Sequence, residues 1–227
     1  MCGQRRFGYS GRRRFPKAAR KTARHGKMGT IVYMDPDPIE RSNRIPPEER
    51  LNVFALVIYI PAPLGRFLDD LRRELVPGCN PHAHVSVLPP RPLAVEWQVA
   101  YRQTRALTDG WAPFEIELAG IEMFPVTDVV YIDVGAGAKE LGRMHVAMNS
   151  GALQFHEPFP YSPHITLAQE IPREQVAATN ELARRRWEEY RGTRRFLAER
   201  AEFVQNTLAN CWLDLAEYRL GGSPVKS

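Results

Sequence analysis

Two short segments of the chain place a histidine and a hydroxyl residue at the same spacing. The segment "NPHAHVSVLPPRP" at 80–92 contains His84 and Ser86, and "YSPHITLAQ" at 161–169 contains His164 and Thr166. The other four histidines lack a hydroxyl residue two positions later. Alternate residues of a β-strand point to the same face of the sheet. Each segment therefore predicts a strand that presents an imidazole beside a hydroxyl, with buried aliphatic residues behind them.

Two imidazoles and two hydroxyls suit the cleavage of a phosphodiester. One imidazole takes a proton from the nucleophile and the other gives a proton to the leaving oxygen, because histidine titrates near neutral pH. The hydroxyls donate hydrogen bonds to the non-bridging phosphate oxygens, which gain charge during attack. This chemistry requires no metal and no other cofactor. The alternative is that both histidines are core residues bonded to neighbouring backbone, and the repetition of the pattern argues against it.

The elements around the two segments are repeated along the chain. Apolar runs predict strands at 52–60 and 129–134, and each is followed by a helix, a histidine strand, a helix and a further strand. The first strand and the histidine are 31 residues apart in one half and 35 in the other. This repeat predicts a duplicated α+β unit with both histidine strands near a pseudo-twofold axis. The other predicted elements are helices at 64–75, 94–109, 139–153 and 173–190, and strands at 83–88, 114–124, 164–168, 196–208 and 211–220.

The two motifs resemble the paired HxSx and HxTx signatures of the 2H phosphoesterase superfamily, which includes 2′-5′ RNA ligases and cyclic nucleotide phosphodiesterases. The resemblance covers residues 51–220 and is especially close at "PFPYSPHITLAQE". It implies a two-lobed, pseudo-twofold α+β fold with antiparallel sheets around a central cleft. It also implies that His84 and His164 are the acid/base residues and that Ser86 and Thr166 bind phosphate.

The same resemblance implies a metal-independent phosphodiesterase. Its members open 2′,3′-cyclic phosphates or cleave and join 2′-5′ linkages, so RNA ends or small cyclic or 2′-5′ nucleotides are the expected substrates. The natural substrate and the choice of base between the two histidines stay open. The chain departs from the family pattern at Ser86, where Thr is frequent, and at Pro89–Pro90, which predict a turn directly after the strand.

Further candidate substrate contacts lie near the ends of the predicted strands. Arg91 follows the first histidine strand, where a guanidinium could bind a phosphate or a terminal ribose. Four aromatic residues could stack a nucleobase, with a place in the core or at its rim as the alternative: Phe124, Tyr131, Phe159 and Tyr161. Tyr161 is the foremost of them, because it lies three residues before His164.

Two other functions compete with this prediction. A non-catalytic module that binds RNA ends would use the same cleft together with the basic N-terminus. A metal-dependent hydrolase would use His82 and His84 as a pair of ligands. The sequence offers no third ligand at a useful spacing, so no metal site is expected.

The composition of the 227 residues is that of a globular protein, with 44% hydrophobic and 25% charged residues. The longest apolar run, at 53–60, is far too short to cross a bilayer. The three cysteines are widely spaced and form no CxxC pair, which favours a protein of a reducing compartment. We therefore expect a cytoplasmic protein, a monomer with no membrane partner.

Positive charge is concentrated at the N-terminus. Residues 1–27 contain ten Lys or Arg and no acid, which leaves 21 basic against 26 acidic residues in the rest, a net charge of −5. We expect 1–27 to be a disordered basic tail that contacts nucleic acid or is merely solvated. A Pro- and charge-rich arm or linker is expected at 28–50, the phosphoesterase-like domain at 51–220, and a C-terminal tail at 221–227.

Overall fold

The computed structural model describes residues 45–221, which contain two antiparallel sheets and four α-helices. The strands are β1 (Arg50–Tyr59), β2 (His84–Arg91), β3 (Phe114–Met123), β4 (Val130–Val134), β5 (His164–Ala168), β6 (Arg195–Ala198), β7 (Arg200–Thr207) and β8 (Trp212–Arg219). The helices are α1 (Leu64–Leu75), α2 (Trp97–Thr108), α3 (Ala138–Met148) and α4 (Val176–Glu189). Short 3₁₀ helices lie at Pro47–Glu49, Gly151–Leu153 and Arg173–Gln175.

The two sheets have the same arrangement of strands. The first has the order β2-β1-β7-β8 and the second has the order β5-β4-β3-β6, so a histidine strand forms one edge of each sheet. All neighbouring strands are antiparallel. The predicted two-lobed α+β fold with antiparallel sheets is confirmed. The lobes do not follow the two halves of the sequence, because β3 joins the second sheet and β7 and β8 return to the first.

Two helices cross from one lobe to the other. Helix α1 follows β1 along the chain but packs against β5, and α3 follows β4 but packs against β2. Leucines at helical spacing form the buried side of α1, and these are Leu64, Leu68, Leu71 and Leu75. Each histidine strand is therefore supported by a helix that belongs to the other half of the fold.

The histidine strands alternate between core and cleft as predicted. Val85 and Val87 in β2 are fully buried, and so are Ile165 and Leu167 in β5. Each such side chain contributes about 1.5–3 kcal/mol when it is removed from water. The histidine and hydroxyl residues between them stay partly exposed. The aliphatic residues thus hold each strand against the core and leave the polar face free.

The turn predicted at Pro89–Pro90 is wrong, because β2 continues through both prolines to Arg91. Proline lacks an N–H group, so a strand interior excludes it, whereas an edge strand tolerates it. β2 is such an edge strand, and its pairing with β1 shifts register between Phe54 and Leu56, opposite this segment. The prolines therefore lie where the ladder is already irregular.

Other differences concern the ends of elements. The helix predicted at 139–153 ends at Met148, and a 3₁₀ turn follows at Gly151–Leu153. The strand predicted at 196–208 divides at Glu199 into β6 and β7, which join different sheets. None of the helices in residues 45–221 has the length and apolar character needed to cross a bilayer.

The predicted terminal segments lie largely outside the described residues. This holds for the basic tail at 1–27, for the arm at 28–50 as far as residue 44, and for the C-terminal tail beyond Gly221. The described end of the arm forms the 3₁₀ helix Pro47–Glu49 and the first residue of β1. The roles expected for these segments stay predictions.

Candidate active site

The two histidine motifs occupy equivalent positions at the edges of the two sheets. β2 and β5 lie beside each other where the lobes meet, and they bring both motifs to one cleft. In each sheet the neighbouring inner strand places one residue opposite the histidine and another opposite the hydroxyl. The facing pairs are Tyr59–His84 and Val57–Ser86 in the first sheet, and Asp133–His164 and Tyr131–Thr166 in the second.

Both imidazoles are held by the backbone in the same way. The Nδ1 atom of His84 lies 2.7 Å from the carbonyl oxygen of His82, and Nδ1 of His164 lies 2.8 Å from that of Ser162. A carbonyl oxygen only accepts hydrogen bonds, so Nδ1 carries the proton in both rings. In its neutral form each imidazole therefore has an unprotonated Nε2, which is the atom that can accept a proton from a substrate.

The surroundings of His84 disfavour its charged form. Burial lowers the pKa of His84 to about 4, while its hydrogen bond to the His82 carbonyl opposes this effect. Positive charge on Arg72, His82 and His164 lowers the pKa further. At neutral pH the ring of His84 is therefore neutral and ready to accept a proton. The effect of His164 also means that the two imidazoles share one electrostatic environment.

His164 differs from His84 by the presence of a carboxylate. Burial lowers the pKa of His164, and the hydrogen bond to Ser162 and the negative charge of Asp133 oppose this effect. Asp133 lies on β4 directly opposite His164. The corresponding residue opposite His84 is Tyr59, which carries no charge. The second imidazole thus retains a proton more readily than a similarly buried ring without a carboxylate would.

The two hydroxyls are available to a ligand. Ser86 and Thr166 are both partly exposed on the cleft face of their strands. Within residues 45–221 neither side chain makes a hydrogen bond. A phosphate bound between the histidines would therefore meet two hydroxyl donors that need not break an existing bond.

Two of the predicted aromatic residues surround His164. The rings of Phe124 and Tyr131 are stacked with their centroids 4.1 Å apart. Both approach His164 edge to face, at 5.0 Å and 5.2 Å between centroids. The pair forms an apolar wall beside the second imidazole, as a base-stacking site would require.

Tyr59 plays a comparable part beside His84, and sequence reasoning did not single it out. Its ring stacks on His82 at 3.6 Å and meets His84 edge to face at 6.3 Å. Its hydroxyl donates to Oδ1 of Asp214 at 2.7 Å. Tyr59 ends an apolar strand, and only the register of β1 against β2 places it opposite the histidine.

Tyr161 connects the two lobes. Its hydroxyl donates to the backbone oxygen of Ser86 at 2.8 Å, and one face of its ring stacks on His145 at 3.9 Å. The hydroxyl and one face of the Tyr161 ring therefore already make contacts within the protein. Phe159, two residues earlier, is 58% exposed and is the freer of these two aromatic residues.

The predicted substrate contact at Arg91 is corrected by the structure. Arg91 is only 2% exposed, and its guanidinium forms an ion pair with Glu157. It also donates to the Asn149 side chain and to the backbone oxygens of Pro89 and Leu153. A buried and fully paired guanidinium does not reach the cleft. Arg91 instead joins the end of β2 to the segment between α3 and β5.

The described part of the chain offers no obvious set of metal ligands. Among residues 45–221, no three His, Cys, Asp or Glu side chains lie together as a metal-binding group would require. The ring of His82 is stacked on Tyr59, and its backbone oxygen is bonded to His84. In this fold His82 packs on Tyr59 and its backbone oxygen orients the ring of His84.

Comparison with known families decides which proteins this chain is related to. The sequence model of the 2′-5′ RNA ligase superfamily matches residues 60–207, which is more than half of the chain and includes both histidine motifs. This protein belongs to the 2′-5′ RNA ligase superfamily. The resemblance to the 2H phosphoesterases, as these proteins are also called, is confirmed.

Solved structures of other proteins share the fold of this 2H phosphoesterase. The crystal structure of TT0787 of Thermus thermophilus is 18% identical, with a TM-score of 0.55 over 75% of this chain and 99% of its own. The apo crystal structure of E. coli LigT is 14% identical, also with a TM-score of 0.55, over 76% of this chain and 97% of its own. At these identities the likeness concerns the fold.

A sequence relative carries a name that agrees with the family. The protein named "Putative phosphoesterase OB1230" from Oceanobacillus iheyensis is 27% identical over 76 residues. The match spans 33% of this chain and 44% of the relative, which is less than half of that protein's length. Family and relative together support a phosphoesterase of the 2H type.

Proposed function

We propose that this 2H phosphoesterase opens 2′,3′-cyclic phosphates or cleaves and joins 2′-5′ linkages, in RNA ends or small nucleotides, by acid/base catalysis without a metal. The proposal rests on one observation, which is that the two imidazole rings make the same hydrogen bond to the backbone and so carry their proton on the same nitrogen. His84 and His164 both bind backbone oxygen through Nδ1, and neither Nε2 makes a hydrogen bond within residues 45–221. The strands that hold them lie beside each other, with a hydroxyl residue next to each ring.

In hydrolysis the scissile phosphate lies between the two rings. Nε2 of the neutral histidine takes a proton from water, and the water oxygen forms a bond to phosphorus. The bond from phosphorus to one ribose oxygen breaks, and the protonated histidine gives its Nε2 proton to that oxygen. Ser86 and Thr166 donate hydrogen bonds to the non-bridging oxygens as these gain charge. In the joining direction the two histidines exchange roles.

The different surroundings favour His84 as the base in hydrolysis. Its pKa of about 4 keeps it neutral, and it has no carboxylate opposite it. His164 lies opposite Asp133, whose charge stabilises the imidazolium that an acid catalyst needs. The two rings influence each other, so the limbs of a pH–rate profile belong to the pair as a whole.

A structural relative supports a nucleotide substrate. E. coli LigT has been crystallised in complex with 3′-AMP, and that structure is 14% identical over 76% of this chain with a TM-score of 0.54. 3′-AMP is chemically the product of opening adenosine 2′,3′-cyclic phosphate at the 2′ oxygen. The stacked pair of Phe124 and Tyr131 beside His164 offers a flat apolar surface for the base of such a nucleotide.

The test is turnover of adenosine 2′,3′-cyclic phosphate and of a 2′-5′-linked dinucleotide by the full chain in EDTA. We expect product from the wild type and a loss of about 10²–10⁴ in kcat for His84→Ala and for His164→Ala. The exposed His156 provides the matched control, and His156→Ala should retain full activity. Full activity in either motif variant, or loss of wild-type activity in EDTA, would contradict the proposal. Binding of 3′-AMP without turnover of either substrate would point to a non-catalytic binding module instead.

A further inference from the structure

The first histidine strand contains an extra residue directly after Ser86. Ser86 pairs with Val57 of β1, whereas Leu88 pairs with Leu56, the residue before Val57. Val87 therefore has no partner of its own on β1. Such a residue is a β-bulge, which bends the strand and changes the direction of the side chains beside it. The direction of the Ser86 hydroxyl thus depends on how this bulge is held.

The second histidine strand has the same irregularity at the equivalent place. Thr166 pairs with Tyr131 of β4. Ala168 pairs with Val130, the residue next to Tyr131, so Leu167 is a bulge directly after the second hydroxyl residue. β-Bulges are frequent beside active sites, where they aim a side chain. Their repetition after both hydroxyl residues indicates that the bulges serve the site.

Two side chains from outside the first sheet hold the bulge in β2. The Tyr161 hydroxyl donates to the backbone oxygen of Ser86 at 2.8 Å. Nδ1 of His145, on α3, lies 2.9 Å from the backbone oxygen of Val87. A carbonyl oxygen only accepts hydrogen bonds, so Nδ1 of His145 carries a proton and is the donor. The two consecutive carbonyl groups at the bulge are therefore both bound by side chains of other elements.

His145 and Tyr161 are packed together as one unit. Their rings are stacked with centroids 3.9 Å apart and with only 4° between their planes. His145 is 8% exposed, and its Nε2 atom lies 3.6 Å from the carboxylate of Glu157. Glu157 in turn pairs with Arg91 at the end of β2. A side chain that is fixed both by stacking and by a hydrogen bond has little freedom to move, as the positioning of a reacting group requires.

We propose that His145 is a positioning residue, which holds the Val87 bulge together with Tyr161 and thereby aims the Ser86 hydroxyl at the scissile phosphate. The ring of His145 is buried and bound to backbone, so it acts through β2 and does not touch the substrate. A hydroxyl donor stabilises the transition state only when it points at a phosphate oxygen, and a displacement of about 1 Å reduces the rate strongly. This inference rests on the proposed function at the same cleft.

The test compares kcat for adenosine 2′,3′-cyclic phosphate in variants of the full chain. His145→Phe keeps a ring that can stack on Tyr161 but cannot donate to Val87, and we expect kcat to fall by about tenfold. His145→Asn places an amide N–H close to the position of Nδ1 and should recover most of this loss. His156→Phe is the matched control, because His156 is exposed, and it should keep the wild-type kcat.

The decisive comparison uses Ser86→Ala as the background, because this variant lacks the group that His145 positions. We expect Ser86→Ala alone to lower kcat by about 10²–10³. In this background His145→Phe should change kcat by less than about twofold, since the effects of two residues that act through one group do not add. A second tenfold loss would show that His145 acts on the fold as a whole, and it would overturn the inference.

Hydrogen exchange gives a readout that does not depend on turnover. The backbone amides of β2 around Val87 should exchange faster in His145→Phe than in the wild type or in His156→Phe, because the bulge loses one of its two side-chain bonds. Unchanged exchange together with an unchanged kcat in His145→Phe would also overturn the inference. Absence of turnover in the wild type instead rejects the proposed function, and the exchange measurement then decides alone whether His145 holds the bulge.

Discussion

The hydroxyl of Tyr161 donates a hydrogen bond to the backbone oxygen of Ser86 at 2.8 Å and joins one histidine motif to the other. Tyr161 lies in the segment that leads into β5, three residues before His164, whereas Ser86 lies in β2 of the opposite lobe. Burial raises the pKa of Tyr161, which keeps the hydroxyl protonated as a donor. This bond sets the positions of the two motifs relative to each other.

Replacing Tyr161 by Phe should therefore disturb catalysis more than stability. Loss of one buried hydrogen bond lowers the free energy of unfolding by about 1 kcal/mol. A small shift between the motifs lowers kcat by roughly tenfold, because both histidine rings must be correctly positioned around one phosphorus atom. Steady-state kinetics and urea unfolding measure the two effects. Tyr101→Phe is the control, since that hydroxyl has no hydrogen-bond partner in residues 45–221. Equal kcat values for the two variants would contradict the prediction.

The buried imidazole of His84 should make stability depend on pH. Its pKa of about 4 lies below the ordinary value of 6.5, so between these pH values the unfolded chain binds a proton that the folded protein does not. The free energy of unfolding should fall as the pH decreases through this window. Between pH 7 and pH 5 the wild type should lose about 1–2 kcal/mol more than His84→Gln. Urea unfolding at the two pH values measures this difference.

An exposed histidine serves as the reference for that experiment. His156→Gln should show the same loss of stability as the wild type. If His84→Gln follows the wild type as well, the ring of His84 is not the group that titrates.

Asp133 should raise the pKa of His164. The variant Asp133→Asn removes the negative charge that favours the imidazolium, so the pKa of His164 should decrease. If His164 is the acid, the high-pH limb of the kcat profile moves to lower pH as well. NMR titration of the imidazole C–H signals measures the first effect. Glu122→Gln is the control, because Glu122 acts on Tyr131 and not on His164. An unchanged His164 titration in Asp133→Asn would refute this coupling.

The buried pair of Arg91 and Glu157 should matter for stability. In Arg91→Met the Glu157 carboxylate loses its guanidinium partner and keeps the His145 ring at 3.6 Å. Breaking a buried ion pair in this way costs about 3–5 kcal/mol. Unfolding in guanidinium chloride should show this decrease in the free energy of unfolding. The double variant Arg91→Met/Glu157→Gln should recover part of the lost stability. A stable Arg91→Met with a raised KM would instead restore the substrate contact first predicted for Arg91.

Local patterns predicted the elements that carry the site. The alternation of His84 and Ser86 with buried valines is a property of a few neighbouring residues, and the strand forms as that alternation requires. The leucine spacing of α1 likewise predicts a helix from Leu64 to Leu75, which is its observed extent. Pro89 was misinterpreted because a proline is acceptable in an edge strand, and edge position depends on the whole sheet.

The sequence by itself determined which side chains share a face, since a strand has a period of two residues whatever it packs against. It thereby indicated the four motif residues, the chemistry they suit and the family. Only the tertiary structure decided what surrounds them: a carboxylate opposite His164, a tyrosine opposite His84, and the positive charge of Arg72 near the His84 ring. These neighbours come from strands and helices that are distant along the chain, so their contacts depend on sheet register and on the packing of two lobes.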